Sequence, residues 1–166
     1  MKLIRFGAPG TESPGLQLAD GSRIDASSFG EDYAEAFFAT NGLARLSAWA
    51  AENSATAPRI GAEVRLGPPI TRPSKIICIG LNFSDHAAES GMAVPEEPVV
   101  FFKASSSLVG PNDNLIIPRG SEKTDWEVEL AVVISKRTSY VTEANAMDYV
   151  AGYALHNDYS ERAYQL

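Results

Sequence analysis

The sequence predicts an α+β protein that is mostly β, with a small amino-terminal β/α unit followed by part of a β-rich roll. Three observations carry this. Beyond residue 70 the apolar residues gather in short, largely β-branched runs, Lys75 to Ile79, Val99 to Lys103, Glu127 to Ile134 and Val150 to His156, punctuated by Pro95, Pro98, Pro111 and Pro118. Before residue 70 the chain is alanine-rich and holds two amphipathic stretches at helical period. Strands do not alternate with helices, and no GxGxxG or P-loop spacing occurs, so a doubly wound nucleotide-binding sheet is excluded.

In chain order, Lys2 to Phe6 reads as the first strand. Gly15 to Ala19 and Ser22 to Asp25 flank Asp20-Gly21, a dipeptide suited to a tight hairpin turn. Glu31 to Thr40 and Leu43 to Glu52 read as helices, with Asn41-Gly42 between them as a break and helix C-cap. Their Phe37, Phe38, Leu43, Leu46 and Trp49 form the core face. Gly67-Pro68-Pro69 and then Pro73 break both helix and sheet, which divides the chain into a small domain, residues 1–70, and the first part of a larger one, residues 71–166. Past that junction, Lys75 to Ile79 reads as a buried strand. Asp85 to Ser90 gives one or two helical turns, with Ser84 as N-cap and Gly91 as stop. Val99 to Lys103, Asn114 to Ile117, Glu127 to Ile134 and Val150 to His156 are further strands, and Thr142 to Tyr149 is a short helix capped by Thr142.

Composition narrows the function. Fourteen Lys plus Arg stand against 21 Asp plus Glu, a net charge of −7 with no basic stripe, so a phosphate backbone is repelled and nucleic acid is excluded as a partner. The longest apolar runs, such as Leu130 to Ile134, fall far short of the roughly 20 residues that span a bilayer, and Met1 to Gly10 lacks a signal-peptide core. A cytoplasmic protein without membrane contact is expected. The single cysteine, Cys78, excludes an intrachain disulfide and a CxxC metal site, and reads as a small buried apolar residue.

Three segments can carry chemistry. In Trp126-Glu127-Val128-Glu129-Leu130, residues two apart on a strand share a face with about 6.6 Å between their Cα atoms. Glu127 and Glu129 therefore project together, while Trp126, Val128 and Leu130 face the other way. Two carboxylates so placed are either both solvated or bridged by a cation. In Leu155-His156-Asn157-Asp158, the aspartate stands where an apolar strand ends, suited to a turn or to a third oxygen ligand. Three carboxylates without a thiol select a hard ion, Mg²⁺ or Mn²⁺, over zinc. In Ser84-Asp85-His86-Ala87-Ala88-Glu89, His86 and Glu89 are three apart on one helix face, near enough for the glutamate to orient the imidazole as a base toward water.

Taken in order, Ile79-Gly80-Leu81-Asn82-Phe83-Ser84-Asp85-His86, Glu97-Pro98-Val99-Val100-Phe101-Phe102-Lys103, Asp125-Trp126-Glu127-Val128-Glu129-Leu130, Tyr149-Val150-Ala151-Gly152-Tyr153 and Asn157-Asp158-Tyr159-Ser160-Glu161-Arg162 resemble the fumarylacetoacetate hydrolase family from Lys75 to Gln165. Within it, the chain is most similar to bacterial 2,4-diketo-3-deoxy-sugar-acid hydrolases, acylpyruvases and homoprotocatechuate-pathway isomerases. The resemblance implies the family's mixed β-roll, with Glu127, Glu129 and Asp158 as ligands of Mg²⁺ or Mn²⁺ and His86 with Glu89 as the water-activating pair. Arg162 and Gln165 match pocket-lining positions, and Lys103 stands near the cavity. It implies hydrolysis of a 2,4-dioxo acid to pyruvate and a second acid, by a homodimer. The alternatives are a metal-dependent isomerase or decarboxylase of related 2-oxo acids, or an inactive remnant. Family members continue well past the position of Gln165, so the resemblance also implies that these residues are part of a longer polypeptide.

Overall fold

The computed structural model of the chain describes residues 1–89 and 91–165. Its first three strands, β1 (Lys2–Phe6), β2 (Ser13–Gln17) and β3 (Arg23–Asp25), form an antiparallel sheet in the order β1-β2-β3. The β2–β3 turn is closed by Leu18 and Ser22, and Gly21 adopts φ of 86°, a conformation glycine takes without strain. β2 starts and ends two residues before the predicted Gly15 to Ala19, because Ser13 and Pro14 pair with Phe6 and Arg5.

Helices α1 (Glu35–Ala39) and α2 (Gly42–Asn53) come next. The amphipathic pattern places the start of α1 at Glu31, but Asp32 and Tyr33 are recruited by tertiary contacts instead. Arg5 Nε and Nη2 donate to the two Asp32 carboxylate oxygens, each at 2.9 Å, and the buried Tyr33 hydroxyl donates to Gly15 O at 2.8 Å. The break between the helices is made by Asn41, at φ 61°, while Gly42 opens α2. Gly42 is thus not the C-cap of α1. It is small because Phe37 packs directly over it, leaving no space for a side chain. Leu16, Ile24, Tyr33, Phe37 and Leu46 form the core, with Phe29, Phe38 and Trp49 packed around it. Burial of each large side chain contributes roughly 1.5–3 kcal/mol.

Arg65 ties this unit to the segment around Asp113. Its Nε and Nη2 donate to the two Asp113 oxygens at 2.7 and 2.6 Å, and Nη1 donates to Gly7 O and Glu12 Oε1 at 2.9 and 3.0 Å. The Arg65 hydrogen bonds hold the Asp113 carboxyl below its ordinary value of 3.8. A carboxyl lowered in this way stabilises the fold above its unfolded pKa, and that contribution is lost as pH falls through the lowered, folded value. Asp113→Asn is therefore expected to lower the neutral-pH melting temperature by roughly 4–8 °C, for about 2 kcal/mol of charge-assisted bonding. The gap to wild type should close as pH drops below 3.8. A melting series across the acid range that leaves the gap constant would contradict this.

Past residue 70 the sheets are two-stranded antiparallel ribbons. β4 (Ile76–Gly80) pairs with β5 (Val99–Lys103), β6 (Thr124–Asp125) with β9 (Ser160–Glu161), and β7 (Val128–Ile134) with β8 (Val150–Asn157). Helix α3 (Ser84–Glu89) lies between β4 and β5 in sequence. Ser84 is its first residue, not its cap: the Ala87 N–H donates to Phe83 O. Gly91 does stop it, at φ 64°, with its N–H on Ala88 O and the Met92 N–H on Ala87 O. Ser90, the predicted last helical residue, lies outside the described residues. Two other expectations change. Asn114 to Ile117 forms no strand: Ile116 and Ile117 are exposed between Pro111 and Pro118, with no partner strand among the described residues. Glu143–Tyr149 is a 3-10 helix, and Thr142 precedes it without a side-chain capping bond.

The predicted burial of β4 holds on one face only, where Cys78 is covered, while Ile77 and Ile79 on the other are 56% and 38% exposed. In the β7–β8 ribbon Val128, Leu130, Val132, Ile134, Tyr153 and Leu155 are likewise exposed. No helix among the described residues is long and apolar enough to cross a membrane.

Candidate metal centre

The end of the β7–β8 ribbon builds the site. Glu129 pairs directly with His156 across the ladder, and the pairing continues one step beyond β7 and β8: the Asp158 N–H donates to Glu127 O at 2.8 Å, and the Glu127 N–H to Asn157 Oδ1 at 3.1 Å. Residues two apart share a face, and so do cross-strand partners. Glu127, Glu129, His156 and Asp158 therefore stand on one face, and Val128, Leu130 and Leu155 on the other. One carboxylate oxygen from each of Glu127, Glu129 and Asp158 lies within 4.8 Å of the other two.

Each acid also has a basic neighbour. Arg162 Nη1 pairs with Glu127 Oε1 at 2.6 Å, and His156 Nδ1 lies 3.7 Å from Glu129 Oε2. The Lys103 ammonium rests against Asp158 Oδ1 and donates to Tyr159 O at 2.5 Å. Burial raises the Glu129 carboxyl above the ordinary glutamate value, and the Asp158 and Glu127 charges add to the rise. Burial raises the Cys78 thiol too, with Asp158 and Glu129 adding, which keeps it protonated and inert beside the cluster.

The residues fit a hard divalent cation on two counts. The donors are three oxygens without a thiol. Asp158 is also only 2% exposed, so its charge, beside those of Glu127 and Glu129, needs a cation, and among the described residues the Lys103 ammonium against its Oδ1 supplies one.

Of the residues singled out in the sequence, Glu127, Glu129, Asp158 and Lys103 converge here, and Arg162 and Gln165 adjoin them: Arg162 Nη1 donates to Gln165 Oε1 at 2.7 Å. His86 and Glu89 stand exposed on α3, and neither side chain makes a hydrogen bond or ion pair among the described residues. The expected His86–Glu89 bond is not formed, since solvent competes for both groups on a helix of fewer than two turns. Two contributors escaped the sequence reading. His156 reaches Glu129 only through the cross-strand register, and Asp125 accepts from Arg162 only through the β6–β9 pairing. Alternation from Glu127 could have flagged Asp125, because it shares that side of the chain.

A carboxylate cluster at a sheet end, with oxygen donors alone, is one that could hold a hard divalent cation. The chain belongs to the fumarylacetoacetate hydrolase family, whose model "Fumarylacetoacetate (FAA) hydrolase C-terminal" matches residues 75–166. A Burkholderia multivorans protein named as a hydrolase is 53% identical over all of this chain, which spans 58% of that relative's length. The maleylpyruvate hydrolase of Sphingobium sp. SYK-6, solved with manganese(II) and pyruvate, is similar with a TM-score of 0.78 at 26% identity, over 98% of this chain and 60% of that one. The 2-hydroxyhepta-2,4-diene-1,7-dioate isomerase of Mycobacterium marinum is similar with a TM-score of 0.62 at 26% identity, over 99% of this chain and 56% of that one. Hydrolases and isomerases thus both stand among the chain's structural relatives.

Proposed function

We propose that this chain carries the metal-binding part of a homodimeric, divalent-metal-dependent hydrolase that cleaves the C–C bond of a 2,4-dioxo acid to pyruvate and a second carboxylic acid. The observation that carries the reading is the convergence of Glu127, Glu129 and Asp158 within 4.8 Å. The likeness to an enzyme solved with manganese and pyruvate supports it. Glu127, Glu129 and Asp158 would hold Mg²⁺ or Mn²⁺. When bound, the ion supplies Lewis acidity that draws electron density toward the 2-oxo group.

The other side chains supply binding and proton transfer. His86 takes a proton from water on an imidazole nitrogen, and Glu89 steadies the charge that results. The hydroxyl adds to C4, which becomes the carboxyl of the second acid. The electron pair of the C3–C4 bond leaves with the three-carbon fragment, and C3 gains a proton to give pyruvate. Arg162 and Gln165 present donors to substrate oxygens, and the Lys103 ammonium adds positive charge at the same edge.

Acylpyruvate absorbance followed with Mn²⁺ tests this. Loss of general-base help in His86→Ala should slow turnover by about 10²–10⁴-fold, and Glu127→Ala should slow it comparably. Unchanged rates in both variants would refute these roles. The isomerase reading is favoured by the likeness to the Mycobacterium marinum enzyme. It predicts substrate loss without release of pyruvate, which a coupled pyruvate assay separates.

A further inference from the structure

Next to the metal centre lies a carboxylate that the proposed chemistry does not use. Asp125 is the second residue of β6, and Arg162 comes directly after β9. The ladder Thr124↔Glu161 and Asp125↔Ser160, extended by the Arg162 N–H donating to Lys123 O at 2.9 Å, fixes the two backbones side by side. Arg162 Nε and Nη2 both donate to Asp125 Oδ2, at 3.2 and 3.0 Å. The remaining nitrogen, Nη1, reaches Gln165 Oε1 at 2.7 Å and Glu127 Oε1 at 2.6 Å. One guanidinium is therefore shared between two acids, and only one of them belongs to the carboxylate cluster.

We propose that Asp125 is the positioning residue for Arg162, holding its Nε–Nη2 edge so that only Nη1 reaches Glu127 and the rest of that carboxylate stays available to a divalent ion. The inference rests on the reading of Glu127, Glu129 and Asp158 as the metal centre. A guanidinium is a rigid planar fork, so engaging its Nε–Nη2 edge fixes where Nη1 points. Asp125 also neutralises the charge of Arg162. Without that partner the cation, 30% exposed, has Glu127 as its only remaining anion in contact among the described residues, and an entering ion must displace it. Asp125 thus serves the metal without touching it, by limiting a competing cation to one nitrogen on Glu127.

A double-mutant cycle on the full chain, read as Mn²⁺ affinity by titration with detection of free Mn²⁺, tests the proposal. Asp125→Asn should weaken Mn²⁺ binding by about tenfold, within the range of neighbours that orient ligands. Arg162→Met should bind at least as tightly as wild type, and Asp125→Asn combined with Arg162→Met should return to the Arg162→Met value. A purely structural role for Asp125 gives no such rescue, because the double variant would then be as weak as Asp125→Asn. That result, or an Asp125→Asn chain with wild-type affinity, overturns the proposal alone. A wild-type chain that binds no Mn²⁺ overturns the metal-centre reading and this proposal together. Asp125 is 49% exposed on a two-residue strand, and Asp125→Glu, which keeps the charge, should hold near-wild-type affinity.

Discussion

Mn²⁺ is expected to raise the melting temperature of the wild-type chain and to leave that of Asp158→Asn unchanged. A ligand that binds only the folded state at a hundred times its Kd stabilises by about 2.7 kcal/mol, roughly 5–10 °C for a chain of this size. Removing a neighbour that merely orients a ligand costs about 10–100-fold in metal affinity, so removing one of three ligands must cost at least the upper end of that range. Asp158 is the decisive position because it is the most buried of the three, only 2% exposed. An amide there offers one weaker neutral oxygen in place of a charged pair. Without metal, the variant should melt close to wild type. Lys103 keeps its bond to Tyr159 O, and the like-charge pressure that helps raise the Glu129 carboxyl is relieved. A full Mn²⁺ response in Asp158→Asn would exclude this residue as a ligand. An equal loss in Glu127→Gln and Glu129→Gln would assign the response to the cluster as a whole.

The range of the forces involved decides how much of this was legible in the sequence. Strands β1 and β5 fall where β-propensity and flanking breakers place them, because both signals are local. The start of α1 was not legible, since Asp32 and Tyr33 are withdrawn by Arg5 and by the Gly15 carbonyl, partners 27 and 18 residues away. Asn114 to Ile117 has strand composition but no neighbour to pair with among the described residues, and composition does not reveal neighbours. The site divides along the same line. Glu127 and Glu129 share a face by the two-residue period alone, whereas bringing Asp158 to them requires the β7–β8 register. That register is also what places His156 opposite Glu129, and the two-rung β6–β9 ladder places Asp125 against Arg162. Asp158 stood out at a strand end as a turn residue or a third oxygen ligand, and the resemblance to a family chose between the two and supplied Arg162 and Lys103, because members of one fold share a register that a single sequence does not print.

Self-association of the chain is the second large effect expected, and it should run through the face of the β7–β8 ribbon opposite the carboxylate cluster. Leu130 and Leu155 are direct cross-strand partners, as are Val132 and Tyr153, and all four are exposed, Leu130 by 64% and Leu155 by 84%. On β4–β5 the paired residues Ile77 with Phe102 and Ile79 with Val100 add a second bare apolar stripe. Contiguous apolar surface of this kind is uncommon on soluble monomers and is suited to being covered, by further polypeptide or, for this chain alone, by a second copy. Each such side chain contributes roughly 1.5–3 kcal/mol when fully covered, so a few on each copy outweigh the entropy lost on pairing. Light scattering should accordingly report a mass above the 17.8 kDa of one chain. Replacing Leu130 with Lys and Leu155 with Glu puts opposite charges on a direct cross-strand pair, which holds the ribbon together while removing its apolar face. That variant should shift toward the single-chain mass and retain the Mn²⁺-dependent melting rise, because the carboxylates point to the other side. A wild-type chain that remains monomeric at all concentrations would defeat the expectation. Loss of the Mn²⁺ response in the charged variant would mean instead that assembly shapes the metal centre, which the two-sided geometry of the ribbon argues against.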